Sequence, residues 1–204
     1  MFYEPSNGHG LPHDPLKALV SPRPIAWVST VNGAGVANLA PYSFFNMFSS
    51  RPPLVWFGSE TRKDSAANIE ETGEFVINIV GRHLIEQMNV TSVDAPQGVD
   101  EFALAKLTAV PSRLVKPPRV GEAPAALECR RTEMFSPKGL DGRPSSTVVT
   151  IGEVVGIHID DAMLKDGLYD TVKAGNLSRL GYMDYLTVDE VFTMRRPRWG
   201  KDLP

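Results

Sequence analysis

The close spacing of strand and turn signals between residues 23 and 80 most constrains what this chain can fold into. The apolar run IAWVSTV is followed by the turn NGAG at 32–35 and by a second run, VANLAPYSF. Asn-Gly supplies the positive backbone angles that a tight turn between twisted antiparallel strands requires. A proline turn at Pro52 and Pro53 then leads into LVWFGS, a short buried strand. The segment therefore predicts an antiparallel hairpin followed by a third strand.

Helix signals follow this third strand. Asp64 or Ser65 is placed to cap a helix that carries apolar residues on one face and ends at Gly73. The run EFVINIV predicts a strand directly after it. A second helix is predicted from about 82 to 89, ended by the loop VDAPQGVDEFA.

The second half of the chain is richer in strand signals. Long β runs are predicted from about Ala126 and from Ser146, and VDEVFTMRRP predicts a last strand. Between the two long runs, Ser136 to Pro144 is rich in turn residues and predicts a protruding loop. No repeat or linker divides the chain, so one domain over 1–204 is expected. Mostly antiparallel connections favour a mainly β fold, a small barrel with peripheral helices.

Composition excludes several classes of function. The chain has 204 residues, 21 basic and 24 acidic side chains and a net charge of −3, which argues against broad nucleic-acid binding. Its one cysteine, Cys129, lies in a predicted strand, where a packed, structural thiol is favoured, and it indicates a reducing, cytoplasmic compartment. No stretch approaches the roughly 18 apolar residues of a membrane span, and the N-terminus lacks a secretion signal.

The motifs of several enzyme classes are missing. There is no G-x-G-x-x-G after a strand, no P-loop and no G-x-S-x-G elbow. The four histidines lack metal-ligand spacing, so no metal site is predicted. No catalytic acid or base is assigned.

The run T-R-K-D-S at 61–65 places two cations and small polar side chains at the start of a helix. Free backbone N–H groups there, together with the helix dipole, favour a bound phosphate. Taken alone, however, the run favours a simple helix cap beside solvated basic residues over a phosphate site.

The segment APYSFFNMFSS, from Ala40 to Ser50, adds a second element to this unit. Its amide and hydroxyl groups are interleaved with Tyr42, Phe44, Phe45 and Phe48. Such a surface can hold a heteroaromatic ring by stacking and edge hydrogen bonds. The alternative is a barrel corner whose aromatic residues belong to the core.

The order of these motifs resembles a known family. RPIAWVST, NGAGVANLAPYSFF, RPPLV and TRKDSAANIEETGEFVIN follow one another as they do in the flavin reductase-like family of FMN-binding split-barrel proteins. RLGYMDY, from Arg179 to Tyr185, is similar to the C-terminal signature of that family. The resemblance implies a six-stranded antiparallel split β-barrel that forms a homodimer, with FMN bound near the subunit interface.

The resemblance also implies where the cofactor lies. The residues implied to lie along the isoalloxazine ring are Pro41, Tyr42, Ser43, Phe44, Phe45 and Asn46, with Ser49 as a small polar residue before R-P-P. The residues implied at the phosphate end are Arg62, Lys63, Asp64 and Ser65. Arg179 matches a basic residue that faces the flavin or the nicotinamide. Tyr182 stands where the family more often has a second glycine, so the position of this loop and its ligand contacts are expected to differ from the family pattern.

The function that the resemblance implies is an NAD(P)H-dependent flavin reductase, in which NADH or NADPH passes hydride to N5 of the flavin. Reduced flavin would then leave or pass electrons to a partner such as a monooxygenase. Two alternatives remain open: an FMN-holding electron carrier with little NAD(P)H activity, and a barrel without cofactor that serves as an interaction module.

Overall fold

A seven-stranded antiparallel sheet forms most of the molecule in the computed structural model, which describes residues 1–96 and 98–202. In chain order its strands are β1 Ala26–Val31, β2 Ala37–Tyr42, β3 Phe44–Ser50, β4 Pro53–Ser59, β5 Glu74–Asn78, β6 Ala125–Phe135 and β7 Val148–Ile159. Their spatial order is β2-β1-β5-β6-β7-β4-β3.

The two edge strands of this sheet, β2 and β3, are consecutive in the chain and are separated only by Ser43. A sheet whose two edges are joined by one residue must curl until those edges approach each other. This curl produces the predicted mainly β, antiparallel split barrel, with seven strands where six were expected. Pro41 lies on the β2 edge, where the missing proline N–H removes no ladder hydrogen bond.

Strand β1 separates two apolar cores, which explains why all six of its residues are buried. Ala26 and Val28 face the barrel interior together with Phe57 and Phe75. Trp27 faces the other way, into a second core between the sheet and the outer helices. Its indole Nε1 donates to Thr91 Oγ1 at 2.8 Å. Burying each such side chain contributes about 1.5 to 3 kcal/mol, so both cores hold the sheet in its curled form.

The helices are short and lie outside the barrel. They are α1 Leu16–Leu19, α2 Asp64–Thr72, α3 Ile85–Val90, α4 Glu101–Leu104 and α5 Thr171–Ala174, with 3₁₀ turns at Pro5–Asn7, Arg82–Leu84 and Asp161–Met163. Helix α2 ends at Gly73, whose φ of 74° is left-handed, as the sequence predicts. The second predicted helix is a 3₁₀ turn followed by α3. The loop predicted after it includes Gln97, which lies outside the described residues, and runs into α4.

The hairpin between β1 and β2 forms, but its turn differs from the prediction. The positive φ belongs to Gly35, at 83°, and not to the Asn-Gly pair. Asn32 contributes through its side chain, because Oδ1 accepts from the N–H groups of Ala34 at 3.0 Å and Val36 at 2.9 Å. The asparagine therefore shapes the turn as an Asx motif.

The last predicted strand, over 188–197, is wrong. A three-stranded sheet of Arg23–Pro24, Leu177–Arg179 and Tyr185–Thr187 is the final paired unit near the C-terminus. Residues 188–197 form no strand, and Phe192 is 85% exposed. A segment with strand-like composition forms a strand only where the edge of another strand is available for pairing.

Two smaller predictions concern the second half. In the loop predicted from Ser136 to Pro144, the first two residues are half-buried and 138–144 are exposed, with a bridge between Lys138 and Pro144. Cys129 is fully buried in β6, and burial raises the pKa of its thiol far above the ordinary value. The packed environment agrees with a structural cysteine. Two further two-stranded sheets join Leu164–Lys165 with Leu168–Tyr169 and Ala109–Val110 with Arg119–Val120.

Candidate flavin-binding cleft

A cleft of about 720 Å³ opens beside the corner where β2 turns into β3. Its walls come from that corner, the end of β4, the start of α2, the turn after α3, α1 and the segment 179–185. A volume of this size lies within the usual range for sites that hold small molecules and cofactors.

Eight of the twelve predicted site residues line this cleft. They are Pro41, Tyr42, Ser43, Phe44, Lys63, Asp64, Ser65 and Arg179. The chain brings them together from the β2–β3 corner, the start of α2 and the C-terminal sheet.

Four predicted residues lie outside the cleft lining. Phe45 packs into the barrel core, because successive side chains of β3 point to opposite faces. Asn46 is exposed, and Ser49 Oγ donates to the Pro52 carbonyl at 2.7 Å. Arg62 turns away to pair with Glu70. Direct contact with a ligand in this cleft is therefore not supported for these four.

The N-terminus of α2 has no side-chain cap. Lys63 occupies the cap position, and the prediction that Asp64 or Ser65 caps the helix is wrong, because Asp64 already belongs to the first turn. The N–H groups of this turn have no intrahelical acceptor. Together with the positive end of the helix dipole, they form a site that favours an anion.

Tyr42 stands beside this helix start and carries an unused hydroxyl. The residue is 9% exposed, and its buried Oη has no hydrogen-bond partner among the described residues. Burial raises the pKa of the Tyr42 phenol, against the smaller opposing effects of the nearby Ser65 and Ser59 hydroxyls. A buried hydroxyl without a partner costs about 1 to 3 kcal/mol, which a ligand acceptor would offset.

Ser65 is held in place by a neighbour on β2. Asn38 Nδ2 donates to Ser65 Oγ at 2.9 Å, and both side chains are buried. Because Oγ accepts this bond, its own proton is free for a further acceptor. The pair therefore positions a donor at the same end of the cleft as the α2 N–H groups.

Two lysines at the cleft pair with exposed carboxylates. Lys63 Nζ lies 3.1 Å from Asp94 Oδ1, and Lys17 Nζ lies 2.9 Å from Glu60 Oε1. All four side chains are more than half exposed. Such pairs contribute about 0 to 1 kcal/mol, so an anionic ligand can replace either carboxylate at little cost.

Arg23 provides a buried positive charge near the other end of the cleft. It is 8% exposed, and its guanidinium donates to the carbonyls of Val20 at 2.6 Å and Leu180 at 2.8 Å, and to that of Lys17. No described carboxylate pairs with it, and Nε has no partner. The guanidinium carbon lies 6.0 Å from the centroid of the Phe44 ring. A cationic and aromatic wall is thus built into the barrel corner.

The segment 179–185 closes this side of the cleft. Arg179 stacks its guanidinium 4.3 Å from the Tyr185 ring centroid and donates to the Tyr182 carbonyl at 2.5 Å. Tyr182 has a φ of 56°, a left-handed angle that a glycine would adopt more easily. A Cβ on Gly181 would lie 2.3 Å from Ala18 Cβ, so α1 packs directly against this segment.

Glu101 is a buried carboxyl at the cleft. It is the first residue of α4 and is 8% exposed. Its Oε2 accepts from the Leu39 N–H at 3.1 Å, on the outer edge of β2. Burial raises the pKa of Glu101, and its neighbours Asp64 and Asp100 add to the rise against opposing backbone hydrogen bonds.

Sequence reasoning missed several cleft residues. Arg23 begins the R-P-I-A-W motif, so its position beside the predicted hairpin could have indicated a role. Lys17, Glu101 and the segment 89–95 carry no motif that points to a site. They reach the cleft only because α1, α4 and the turn after α3 pack around β2.

Comparisons with known proteins identify the family. Residues 19–178 match the flavin reductase like domain. An uncharacterised protein of Halalkalibacterium halodurans is 38% identical over 183 residues, which cover 87% of each chain.

Solved structures agree with this match. Nitrilotriacetate monooxygenase component B from Bacillus cereus is 31% identical, with a TM-score of 0.85 over 95% of this chain and 98% of that chain. A split-barrel protein of Shewanella frigidimarina shares the fold, with 23% identity and a TM-score of 0.79 over 89% of this chain and 90% of that chain.

The chain belongs to the flavin reductase-like family, and its fold is the split barrel of that family. The family resemblance carried by the sequence motifs is thereby confirmed. Over residues 1–96 and 98–202, no helix is long and apolar enough to cross a membrane.

Proposed function

We propose that the chain binds FMN non-covalently in the cleft and that it works as an NAD(P)H-dependent flavin reductase. The observation that carries the proposal is the pairing of two features at one end of the cleft. Among the described residues, the α2 N-terminus has no side-chain cap, and the buried Tyr42 hydroxyl beside it has no partner. Both supply donors that a phosphate would accept.

The donors and rings present fit such a group. The N–H groups of the α2 first turn, Ser65 Oγ, Tyr42 Oη and Lys63 would hold the phosphate. The Pro41 to Phe44 corner would lie along the ring system, and Arg179 would cover it from the C-terminal side. These assignments use the eight predicted site residues that line the cleft.

The flavin, when bound, supplies the redox chemistry, since it accepts hydride from a nicotinamide at N5. The protein supplies geometry and charge. The Phe44 corner orients a flat ring, and α1 with the segment 179–185 restricts access by water. Arg23, a buried cation without a carboxylate partner, stabilises negative charge that develops at its end of the cleft. None of these roles requires a side chain to donate or remove a proton.

The test is NADH or NADPH oxidation by the purified protein with added FMN, followed anaerobically by loss of the flavin absorption band. Bleaching well above the background of free flavin supports a reductase. A protein that binds FMN but is reduced only by dithionite would instead be an electron carrier. A protein that shows no flavin binding would contradict both functions.

Two further expectations concern partners. We propose that the chain forms a homodimer, as the family resemblance implies, and sedimentation equilibrium should give twice the mass of one chain. The similarity to nitrilotriacetate monooxygenase component B supports a monooxygenase as the acceptor of reduced flavin. Stimulation of a flavin-dependent monooxygenase by this protein with NADH would test that expectation.

A further inference from the structure

A buried acid at an anion site is the feature that the proposed function does not explain. Glu101 lines the same cleft as Lys63, Asp64 and Ser65, and it is 8% exposed. An ionised carboxylate there repels a phosphate, and the low effective dielectric of a partly closed cleft strengthens that repulsion. The acid therefore works against the ligand unless it carries a proton.

Glu101 and the helix start are tied to adjacent residues of one strand. Asn38 of β2 donates to Ser65 Oγ at 2.9 Å, and the N–H of the next residue, Leu39, donates to Glu101 Oε2 at 3.1 Å. Strand β2 thus fixes the carboxyl and the first turn of α2 on the same part of the cleft wall. The two groups cannot separate without breaking one of these bonds.

Protonation of Glu101 weakens its structural bond but does not remove it. The carbonyl oxygen of a neutral carboxylic acid still accepts from the Leu39 N–H, although less strongly than a carboxylate oxygen does. The carboxyl can therefore take up a proton while the edge of β2 stays satisfied.

The charged groups that act on Glu101 are Asp64 at the start of α2 and Asp100 before α4. Tyr42 on β2, Lys63 of α2 and Asp94 in the turn after α3 line the same cleft. Asp64 and Asp100 both raise the pKa of Glu101, in addition to the larger effect of burial. Lys63 is not among the groups that shift the pKa of Glu101.

We propose that Glu101 is a specificity-determining residue that sets the preference of the cleft between phosphorylated and unphosphorylated flavins. Entry of the phosphate is coupled to uptake of one proton from solvent by the Glu101 carboxylate. The inference rests on the proposed function, because it requires flavin to bind in this cleft.

The direction of the pH dependence follows from linkage. Phosphate near the carboxyl raises the Glu101 pKa further, so binding takes up protons. The affinity for FMN is then constant below the pKa of the free protein and falls as the pH rises through it. Riboflavin lacks the phosphate and its affinity should not follow this trend. The FMN phosphate loses its second proton near about pH 6 and becomes more negative. This change strengthens FMN binding as the pH rises, and so it opposes the effect of Glu101.

The experiment measures the dissociation constants of FMN and riboflavin by fluorescence quenching from about pH 5 to about pH 9, the range in which a buried glutamate can titrate. Ionisation of the FMN phosphate affects wild type and Glu101→Gln alike, so the ratio of FMN affinity to riboflavin affinity in wild type, divided by the same ratio in Glu101→Gln, should fall with rising pH. In Glu101→Gln, which mimics the neutral acid, FMN should bind about tenfold more tightly than in wild type at the alkaline end. Riboflavin affinity should change little.

Glu122→Gln is the matched control. Glu122 also accepts from a backbone N–H, that of Thr108 at 3.1 Å, but it lies outside the cleft lining. This variant should keep the wild-type ratio at every pH. A wild-type ratio that does not fall with rising pH relative to the ratio in Glu101→Gln would overturn the inference, and Glu101→Ala serves as the uncharged reference if Glu101→Gln fails to fold.

The outcomes separate this inference from the proposed function. If both flavins bind and Glu101→Gln has the wild-type ratio throughout, the role of Glu101 is wrong while flavin binding stands. If neither flavin binds to the wild-type protein, the proposed function fails and this inference fails with it.

Discussion

Tyr42 has opposite effects on the stability of the fold without a ligand and on the proposed binding of a ligand. Its ring packs against Phe57 with centroids 4.9 Å apart, so the aromatic body belongs to the barrel core. Its hydroxyl is buried at the cleft without a partner. Burial of such a group lowers stability unless a ligand completes the hydrogen bond.

Tyr42→Phe is therefore expected to separate stability from binding. Without flavin, the free energy of unfolding should stay the same or rise by up to about 1 kcal/mol, because an unpaired hydroxyl is removed. FMN affinity should fall about five- to tenfold. Urea unfolding and fluorescence titration measure the two effects.

Tyr169→Phe is the control for this prediction. Tyr169 Oη donates to Asn176 Oδ1 at 2.9 Å and lies outside the cleft. Loss of the Tyr169 hydroxyl should lower the free energy of unfolding by about 1 kcal/mol and leave FMN affinity unchanged. Equal effects of the two variants on FMN affinity would argue against a role for Tyr42 at the phosphate.

The two cations of the T-R-K-D-S run differ in their placement. Lys63 lines the cleft, whereas Arg62 pairs with Glu70 outside it. Lys63→Ala should weaken FMN binding about tenfold or more, because a charge-assisted hydrogen bond contributes about 1.5 to 3 kcal/mol. Arg62→Ala is the matched control and should have little effect. Titration with FMN and riboflavin measures both, and an equal loss for the two flavins in Lys63→Ala would show that Lys63 does not contact phosphate.

At the scale of elements, β6 and β7 are joined by a buried charged cluster outside the cleft. Glu128 on β6 is fully buried and accepts from the N–H groups of Arg113 at 2.8 Å and Leu114 at 2.6 Å. His158 Nε2 on β7 bonds to the same carboxylate. Burial raises the pKa of Glu128, but the N–H groups and the His158 ring together outweigh burial and hold that pKa below its ordinary value.

This cluster should make the fold sensitive to acid. Because the pKa of Glu128 is lower in the folded state, its contribution to stability is fully present above the unfolded-state pKa of about 4.3. The contribution is lost as the pH falls through the folded-state value. Urea unfolding of wild type and Glu128→Gln from about pH 7 to about pH 3 should show curves that converge in acid. Parallel curves over this range would contradict the account.

Strand β7 carries glycines that differ in the space around them. A Cβ on Gly152 would lie 2.5 Å from a ring carbon of Phe75, which is fully buried. Gly152→Ala should therefore destabilise the fold by about 1 to 3 kcal/mol through overpacking. In Gly156→Ala the new Cβ would lie 3.3 Å from a flexible Leu114 methyl and 3.5 Å from two Glu128 carbons, which is close to ordinary contact, so this variant should cost less. Thermal unfolding of both variants tests the ranking, and a larger loss for Gly156→Ala would reverse it.

At the scale of the whole molecule, the strand signals predicted most of the sheet. The hairpin, the short strand after the prolines and the two long strands of the second half each form where the sequence indicates them. Their signals are local: turn residues, alternation and β-branched composition. The strand predicted over 188–197 fails because pairing depends on a free edge, which local composition does not report.

The cleft was less predictable than the sheet, for a physical reason. The side chains of Phe44 and Phe45 point to opposite faces, and this choice depends on which face of β3 is buried. Glu101 and Arg23 reach the cleft through packing of distant segments, a property that short motifs do not contain. The motif order predicted the residues that gather at the α2 N-terminus, while the opposing wall required the three-dimensional structure.

We propose that FMN lies along the β2–β3 corner with its phosphate at the α2 N-terminus. A crystal structure of the protein with FMN would test this placement. We expect phosphate density within hydrogen-bond distance of the Ser65 N–H and Tyr42 Oη, with the ring system beside Phe44. FMN bound elsewhere on the barrel, or a phosphate that contacts neither Ser65 nor Tyr42, would contradict it.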